Sequence, residues 1–326
     1  MVGGTSEYFG GSAIPFATTS DFNGSETFDK FTPRVSVDWT PNDDHLVYGS
    51  YSEGFKGGSF DPRGQTSAAP DLDGDGVVSE DEIFDFMKFD PETVKTIEFG
   101  WKSTLAQGRM TSKLAVFFSN YTDVQIPGSV GYDSNDDGVN DTFIGVTSNA
   151  GDADINGVEW EGDAILFTDL GENGSSIRFG WSLGYIDAEY NEFIDAFGND
   201  VADERVFQNT PEWTAGAILT WDIPVDMFST PGLFSVIGAM SYRSETSQFE
   251  APDPWLDQPA YRLWDLSLIW RQDSGNWSAG VHGKNLTNEE YIVAGYPFSD
   301  LGLENNITSF YGNPRQVWAT VQYNFF

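Results

Sequence analysis

The feature that most constrains this chain is a strict alternation of apolar and polar residues, which recurs along most of its length. In the segment RLWDLSLIWR, residues 262–271, every second side chain from Trp264 to Trp270 is apolar. Successive side chains of a strand point to opposite faces, so the pattern predicts strands whose two faces meet different surroundings. About eleven such segments are predicted, at residues 31–40, 45–55, 92–103, 109–122, 153–167, 176–190, 211–222, 233–246, 260–272, 276–286 and 314–326.

The lengths of these segments indicate where such strands would lie. Most exceed the ~5–6 residues usual for strands of soluble proteins and approach the ~9–11 residues of a membrane-spanning strand. The connections alternate between short turns, such as 41–44 and 272–276, and long loops, such as 56–91 and 123–152. This asymmetry, with Trp and Tyr near the segment ends, is typical of outer-membrane barrels. We therefore predict an all-β fold, an antiparallel transmembrane β-barrel.

A soluble β-sandwich or solenoid is the alternative fold, because its strands alternate as well. Sandwich strands are usually shorter, and a sandwich has no need for aromatic residues at both strand ends. Charged residues such as Glu159, Glu161 and Asp163 recur on the predicted inner face. They suit a water-filled lumen better than a dry core.

Charge and composition exclude several classes of function. The formal net charge is −35, from 51 acidic and 16 basic residues, which disfavours nucleic acid as a partner. Aromatic residues make up 15% of the chain, so disorder is not expected. There is no cysteine, and the two histidines, His45 and His282, fall inside predicted strands. With no phosphate loop and no nucleophile elbow either, we predict that the chain is not an enzyme.

The chain ends on the strand pattern NPRQVWATVQYNFF, residues 313–326. Every second residue from Val317 would lie on one face of this strand, the set being Val317, Ala319, Val321, Tyr323 and Phe325. Phe326 would be one residue beyond this pattern. We predict that this set faces lipid and, together with Phe326, forms a membrane assembly signal.

Several stretches together resemble the TonB-dependent receptors, the ligand-gated outer-membrane transporters of Gram-negative bacteria. They are FTPRVSVDWTPNDDHLVYGSYSEGFKGGSF (31–60), PETVKTIEFGWKS (91–103), NGVEWEGDA (156–164), NTPEWTAGA (209–217), GKNLTNEEY (283–291) and YGNPRQVWATVQYNFF (311–326). The resemblance implies an outer-membrane location and a barrel of about 22 strands closed around an amino-terminal plug. The family also implies that the terminal aromatic is read by the assembly machinery.

The resemblance also predicts the part of the receptor that this chain represents. About eleven strands are half of the family's barrel, and no signal peptide or plug is recognised at the amino terminus. We therefore interpret residues 1–326 as the carboxyl-terminal part of the barrel domain, with residues 1–30 as an extracellular loop and 31–326 as strands and loops. Eleven strands would leave two open sheet edges unless they closed on themselves.

The implied function is energised uptake of a scarce, bulky ligand. A ferric siderophore is the default cargo, with cobalamin, haem or an oligosaccharide as alternatives. The implied partners are outer-membrane lipid and lipopolysaccharide, an iron chelate or similar small ligand, and the TonB complex, which would act through the plug. A calcium-stabilised β-structured surface or adhesion protein is the alternative from another class. A passive porin is disfavoured by the long loops.

The sharpest local motif is DLDGDGVVSEDE, residues 71–82, which matches a twelve-residue calcium loop. Gly76 would permit the sharp turn, and Glu82 would bind the ion with both carboxylate oxygens. The remaining ligands would be the side chains of Asp71, Asp73, Asp75 and Ser79 and the Val77 carbonyl. We predict a structural Ca²⁺ ion that stiffens the long loop 56–91. A merely acidic, solvated loop is the alternative.

A second acidic loop, DSNDDGVND at residues 133–141, follows the same spacing more weakly. Position twelve is Ile144, so the bidentate carboxylate is missing. The candidate ligands of this loop are Asp133, Asn135, Asp137, the Val139 carbonyl and Asp141.

The segment after the second predicted strand supplies candidate ligand-binding residues. Phe55, Lys56, Phe60 and Arg63 leave this strand toward the extracellular side and could contact an anionic iron chelate. The alternative is a loop base that is packed only for structure. Arg34, Arg178 and Arg271 are predicted to face the lumen, where they would pair with lumen carboxylates or with the plug.

Overall fold

The computed structural model describes residues 22–133, 138, 142–149, 151–195, 199–227, 229–297 and 306–325. One helix, α1, spans Glu80–Met87. The strands are β1 Arg34–Asn42, β2 His45–Lys56, β3 Ser59–Phe60, β4 Lys88–Phe89, β5 Glu92–Leu105, β6 Met110–Thr122, β7 Gln125–Tyr132, β8 Thr142–Asn149, β9 Ala153–Leu170, β10 Ser175–Tyr190, β11 Trp213–Met227, β12 Thr230–Arg243, β13 Tyr261–Gln272, β14 Trp277–Lys284, β15 Ile292–Pro297, β16 Ile307–Tyr311 and β17 Gln316–Tyr323.

A single antiparallel sheet of eleven strands forms the body of the protein. Its order is β1-β2-β5-β6-β9-β10-β11-β12-β13-β14-β17, so each strand pairs with its neighbours in the sequence once the short loop strands are set aside. The eleven strands correspond one to one with the eleven predicted segments. The prediction of an all-β antiparallel barrel wall is therefore confirmed, as a partial barrel.

The register gives the sheet one continuous apolar face. Leu268 on β13 pairs with Val281 on β14, which in turn pairs with Ala319 on β17. Toward the β1 edge of the sheet, on the same face, Trp101 pairs with both Val47 and Leu114. Side chains of directly paired residues lie on the same face, so these apolar positions form one surface across all eleven strands. Its large side chains stay exposed, which is the arrangement expected of a surface in contact with lipid.

The opposite face carries the charges. Lys113 pairs with Glu161 at 2.9 Å, and Arg178 pairs with Asp222 at 3.0 Å. Tyr48 donates a hydrogen bond of 2.7 Å to Glu98. His282 lies on this face as well, with its ring nitrogens 3.0 and 3.1 Å from the hydroxyls of Ser267 and Thr320. This polar face matches a wet barrel interior rather than a dry core.

The two outermost strands of the sheet are open. Among the described residues, β1 pairs only with β2, and β17 pairs only with β14. All nine residues of β1 and all eight of β17 are exposed. The backbone groups along the outer edge of each of these two strands therefore have no strand partner among the described residues.

The buried apolar residues lie in the loops and at the strand ends that adjoin them. One cluster gathers Val124, Ala153, Tyr190 and Phe193 where β9 begins and β10 ends. The Tyr190 ring stacks on Phe207 at 4.3 Å between centroids. The outer ends of the strands are therefore held by packed loops, whereas the sheet is held by its hydrogen bonds.

Three two-stranded sheets and α1 lie within the predicted loops. β3 pairs with β4, β7 with β8, and β15 with β16. In the part of the chain that the structure describes, no helix has the length and apolar character needed to cross a membrane.

Candidate functional site

Loop 57–91 joins β2 to β5 at the outer end of the sheet and carries the sharpest sequence motif. Its acidic segment folds back on itself through local hydrogen bonds. The Asp71 carboxylate accepts from the amides of Gly74 and Gly76, both at 2.8 Å. Gly76 has a φ of +86°, a conformation that favours glycine, as predicted for the turn of this loop.

Three of the predicted calcium ligands converge. Carboxylate oxygens of Asp71, Asp73 and Glu82 lie within 4.8 Å of one another. The Asp75 carboxylate instead accepts from the Val77 amide at 2.8 Å, and the three converging groups do not include it. Three carboxylates this close repel one another, and a divalent cation would relieve that repulsion.

Glu82 also stabilises the first turn of the helix that follows the loop. Ser79 is the N-cap of α1 and forms a capping box with Glu82. The Glu82 carboxylate accepts from the Ser79 amide at 2.7 Å and from the Leu72 amide at 2.6 Å, so it ties the two ends of the loop together. The hydrogen bonds from the Ser79 amide and hydroxyl hold the pKa of the Glu82 carboxyl below its usual value. Glu82 is therefore charged and already positioned at the end of the loop.

Within the second acidic loop, residues 133–141, the structure describes only Asp133 and Gly138. The Asp133 carboxylate accepts a hydrogen bond of 2.6 Å from the Gly138 amide. This is the same contact that Asp71 makes to Gly76 in the first loop. Asn135, Asp137, Val139 and Asp141 lie outside the described residues.

The four candidate ligand-binding residues do not form one group. Phe55 and Lys56 end β2, where both are exposed. Phe60 packs into the loop, with its ring 5.0 Å from Phe22 and 5.1 Å from Phe84 between centroids. Arg63 is engaged with its neighbour Asp61. Phe60 and Arg63 thus make contacts within the loop, whereas Phe55 and Lys56 lie at its base.

Asp61 is the centre of a loop-to-loop contact that the sequence did not reveal. It is only 4% exposed. Its carboxylate accepts from the Arg63 guanidinium at 2.9 and 3.1 Å and from the Thr147 hydroxyl at 2.7 Å. The Gly145 amide donates to the Arg63 carbonyl at 3.3 Å, and a Cβ on Gly145 would lie 2.3 Å from the Arg63 Cβ. Asp61 and Arg63 therefore dock the β7–β8 hairpin onto loop 57–91.

Gln125 fixes the base of the same hairpin. Its side-chain amide donates to the carbonyls of Gly57 at 3.1 Å and Asp90 at 2.9 Å, and its backbone amide donates to Glu92. Gln125 is 5% exposed, so these bonds are shielded from water. The hairpin and the loop thus form one packed unit at this end of β2, β5 and β6.

We expect Asp61→Asn to release the β7–β8 hairpin. Burial raises the pKa of Asp61, but the hydrogen bonds from Arg63 and Thr147 outweigh burial and leave this pKa below that of an ordinary aspartate. The docked state therefore favours the charged Asp61 carboxylate. Removing this charge should destabilise the docked hairpin by about 1–3 kcal/mol. Hydrogen exchange at the Gly145 amide should accelerate at neutral pH.

In the unchanged protein, the same release should occur only at acid pH. A lowered folded-state pKa gives stability that is present above the ordinary value of 3.8 and is lost as the pH falls below it. Asp90→Asn is the matched control, because the Asp90 carboxylate is 60% exposed in its pair with Lys88. Equal acceleration in both variants would contradict the docking role of Asp61.

The predicted assembly signal lies on β17 and just after it. Val317, Ala319, Val321 and Tyr323 pair with apolar-face residues of β14, namely Gly283, Val281, Ala279 and Trp277. Tyr323 contacts the rings of Trp277 at 4.6 Å and Phe325 at 4.8 Å. Phe325 is 78% exposed, and Phe326 lies outside the described residues. The position of these residues fits the predicted assembly signal, whose role stays a prediction.

Comparison with known proteins gives one family. Residues 4–286 match the family model described as "TonB dependent receptor-like, beta-barrel". The ferric yersiniabactin uptake receptor FyuA from Yersinia pestis has a similar structure, with a TM-score of 0.61 at 20% identity. BauA, the ferric preacinetobactin receptor from Acinetobacter baumannii, has a TM-score of 0.57 at 20% identity. The ferric-catecholate import receptor Fiu from Escherichia coli K12 has a TM-score of 0.53 at 16% identity.

These structures also show how much of a receptor the chain represents. The matches cover 90% of this chain but only 37%, 36% and 34% of FyuA, BauA and Fiu, respectively. At this level of identity they establish the fold, which is that of a part of the barrel wall. TonB-dependent receptors are transporters of the Gram-negative outer membrane and not enzymes, which agrees with the predicted location and with the prediction that the chain is not an enzyme. The chain belongs to the TonB-dependent receptor family.

Proposed function

We propose that this chain forms part of the wall of an energised outer-membrane importer. The observation that carries the proposal is the eleven-stranded sheet, apolar on one face and charged on the other, within a family of transporters. The two open edges, on β1 and β17, would be closed by further strands of the same barrel. A plug would gate the lumen and couple it to the TonB complex, and lipid with lipopolysaccharide would cover the apolar face.

The proposed cargo is a ferric siderophore. Support comes from the similar structures, since FyuA, BauA and Fiu are all described as ferric-chelate receptors. The test is uptake of radioactive iron chelates by iron-starved source cells with and without the gene that encodes this chain. We expect uptake of at least one chelate to require both the gene and the proton motive force. Gene-dependent uptake of cobalamin, haem or an oligosaccharide instead would overturn the ferric cargo.

A role as a surface or adhesion protein is the alternative. The cells with and without the gene also distinguish adhesion from import. An importer of this family needs the proton motive force, whereas adhesion does not. Loss of attachment without loss of any uptake would contradict the importer proposal.

We further propose that loop 71–82 binds a structural Ca²⁺ ion. Support comes from the converging oxygens of Asp71, Asp73 and Glu82, from the left-handed turn at Gly76, and from the match to the loop motif. Asp75, the Val77 carbonyl and Ser79 would complete the coordination. The second loop, from Asp133 to Asp141, is proposed as a weaker site because it lacks a carboxylate at position twelve.

Calcium titration of the native detergent-solubilised protein tests the first site. Extracellular calcium modules bind with Kd of about 10⁻⁴–10⁻³ M, and we expect a value in this range. Glu82→Gln removes one charge and the bidentate ligand, so it should weaken binding at least about tenfold. Glu80→Gln is the matched control, because Glu80 lies in the same first turn of α1 but outside the converging group. Equal calcium affinity in the native protein and the Glu82 variant would exclude this site.

A further inference from the structure

The outer rim of the sheet has a gap beyond the end of β11 at which Trp213 lies. β10 continues outward to Tyr190, and β12 and β13 continue as an arm that is paired again between Thr246 and Gln258. β11 lies between them but begins only at Trp213. The space it leaves is a cavity of about 840 Å³, the rim cavity, which is lined by residues of 186–188, 206–213, 242–247 and 254–260.

Acidic and aromatic side chains line the rim cavity together. The carboxylates are those of Asp187, Glu212, Glu245 and Asp257, and the aromatic rings are those of Phe207, Trp213 and Tyr242. No lysine or arginine of the described residues is among the lining. Carboxylates beside aromatic faces attract a positively charged group, both through their charge and through the ring quadrupole.

Three arginines lie near lining residues in the sequence, and each has a partner. Arg205 lies over the Phe193 ring at 5.5 Å from its centroid, and Arg243 donates a hydrogen bond to the Asn209 carbonyl. Arg262 lies over the Tyr242 ring at 5.3 Å from its centroid, so this lining ring already holds one cation. The side chains of Asp187 and Glu245 form no ion pair or hydrogen bond with any described residue, and both are exposed to the cavity region. Their charges are therefore free to act on a ligand.

Thr246 lines the rim cavity as well and is 7% exposed. Its backbone is paired with Gln258, and its hydroxyl makes no hydrogen bond to any described residue. The hydroxyl oxygen is not fully buried, so it can hydrogen-bond to water or to a ligand group in the cavity.

We propose that the rim cavity binds the cationic part of a ligand, an ammonium or similar group attached to an apolar moiety. The part of this inference that concerns cargo rests on the proposed function. For an importer of ferric complexes, the acidic cavity selects cationic or neutral complexes over anionic ones. This preference is opposite to the anionic chelate that the sequence suggested for Lys56 and Arg63.

A matched set of three small probes tests the cavity itself. Benzyltrimethylammonium, benzyl alcohol and phenylacetate share one ring and differ in charge. Saturation-transfer NMR on the native detergent-solubilised protein measures their binding. We expect the ammonium to bind about tenfold more tightly than the alcohol, and phenylacetate to bind most weakly. Equal affinity of ammonium and alcohol would overturn the inference.

Two double variants show whether the preference arises in the rim cavity. Asp187→Asn with Glu245→Gln removes the two unpaired carboxylates and should reduce the preference for the ammonium to less than about twofold. The control, Glu172→Gln with Asp273→Asn, removes the same net charge from exposed turns at the opposite end of the sheet. An equal loss in the control would mean that the overall charge, and not the cavity, attracts the probe, and would also overturn the inference.

A second series separates this inference from the proposed cargo. Three ferric trihydroxamates would be compared, one with a free ammonium, one with that group acetylated and one with it succinylated. If they bind in the order cationic, neutral, anionic, both proposals are supported. If none binds while the ammonium probe behaves as expected, the ferric cargo fails and the cavity inference stands. If all three bind equally, the cavity does not select the cargo and that part of the inference is overturned.

Discussion

Replacing Leu219 by arginine is expected to destabilise the barrel by about 1–3 kcal/mol. Leu219 lies on the apolar face of β11, paired with Phe179 on β10 and Gly238 on β12. On the same face it lies two residues from Trp221 and six from Trp213, so the new charge would lie in the lipid layer between its middle and the Trp221 end. A guanidinium at this depth loses its water and finds no counter-charge.

The adjacent residue provides a matched control. Ile218 is 51% exposed and Leu219 is 46% exposed, so the two differ in the face they occupy and not in burial. Ile218→Arg would extend into the wet interior and should change stability by no more than about 1 kcal/mol. Unfolding by urea of the native protein in lipid vesicles measures both variants. Equal destabilisation by the two arginines would contradict the assignment of the faces.

Replacing Asn285 by alanine is expected to lower the free energy of unfolding by about 2–4 kcal/mol, because it removes hydrogen bonds within the loop that precedes the last strand. Asn285 is only 4% exposed and adopts a φ of +48°, which asparagine tolerates better than alanine. Its side chain donates to the carbonyls of Glu289 at 2.8 Å and Asn313 at 3.1 Å, and accepts from the Glu289 amide at 2.8 Å. Alanine would leave all three backbone groups without a partner.

The Asn285 variant should also assemble less well, because the Asn313 contact holds the chain just before β17. The yield of folded barrel, measured by heat-modifiable mobility on a gel, should fall along with stability. Asn173→Ala is the control, since Asn173 lies in an exposed turn and its side chain makes no hydrogen bond to a described residue. Full assembly of the Asn285 variant would contradict this role.

The strands were predictable because lipid and water impose a period-2 pattern over long segments. The register of β13 against β14 places Leu268 beside Val281, as their alternation required. Some strand ends differ from the prediction. The segments predicted at 211–222 and 233–246 leave ten residues between them, yet β11 continues to Met227 and β12 begins at Thr230.

The outer elements were less predictable, because long-range contacts determine them. The sequence around Asp61 shows nothing that would identify Thr147 as its partner, 86 positions away. The rim cavity was missed for the same reason, since it depends on where β11 begins relative to its neighbours. The calcium loop could be proposed because its ligands come from twelve consecutive residues. The role of Phe60 could not be predicted, because its contacts with Phe22 and Phe84 are tertiary.

The most direct test of the central claim is the accessibility of alternate residues on β13 in intact outer membranes. The chain has no cysteine, so single cysteines at positions 263–270 can be labelled without background from this chain. If the sheet is a barrel wall, a membrane-impermeant maleimide should label positions 263, 265, 267 and 269 from the aqueous interior. It should leave 264, 266, 268 and 270 unlabelled until detergent is added. Labelling of the two sets at equal rates in intact membranes would contradict the claim that one face of this sheet contacts lipid.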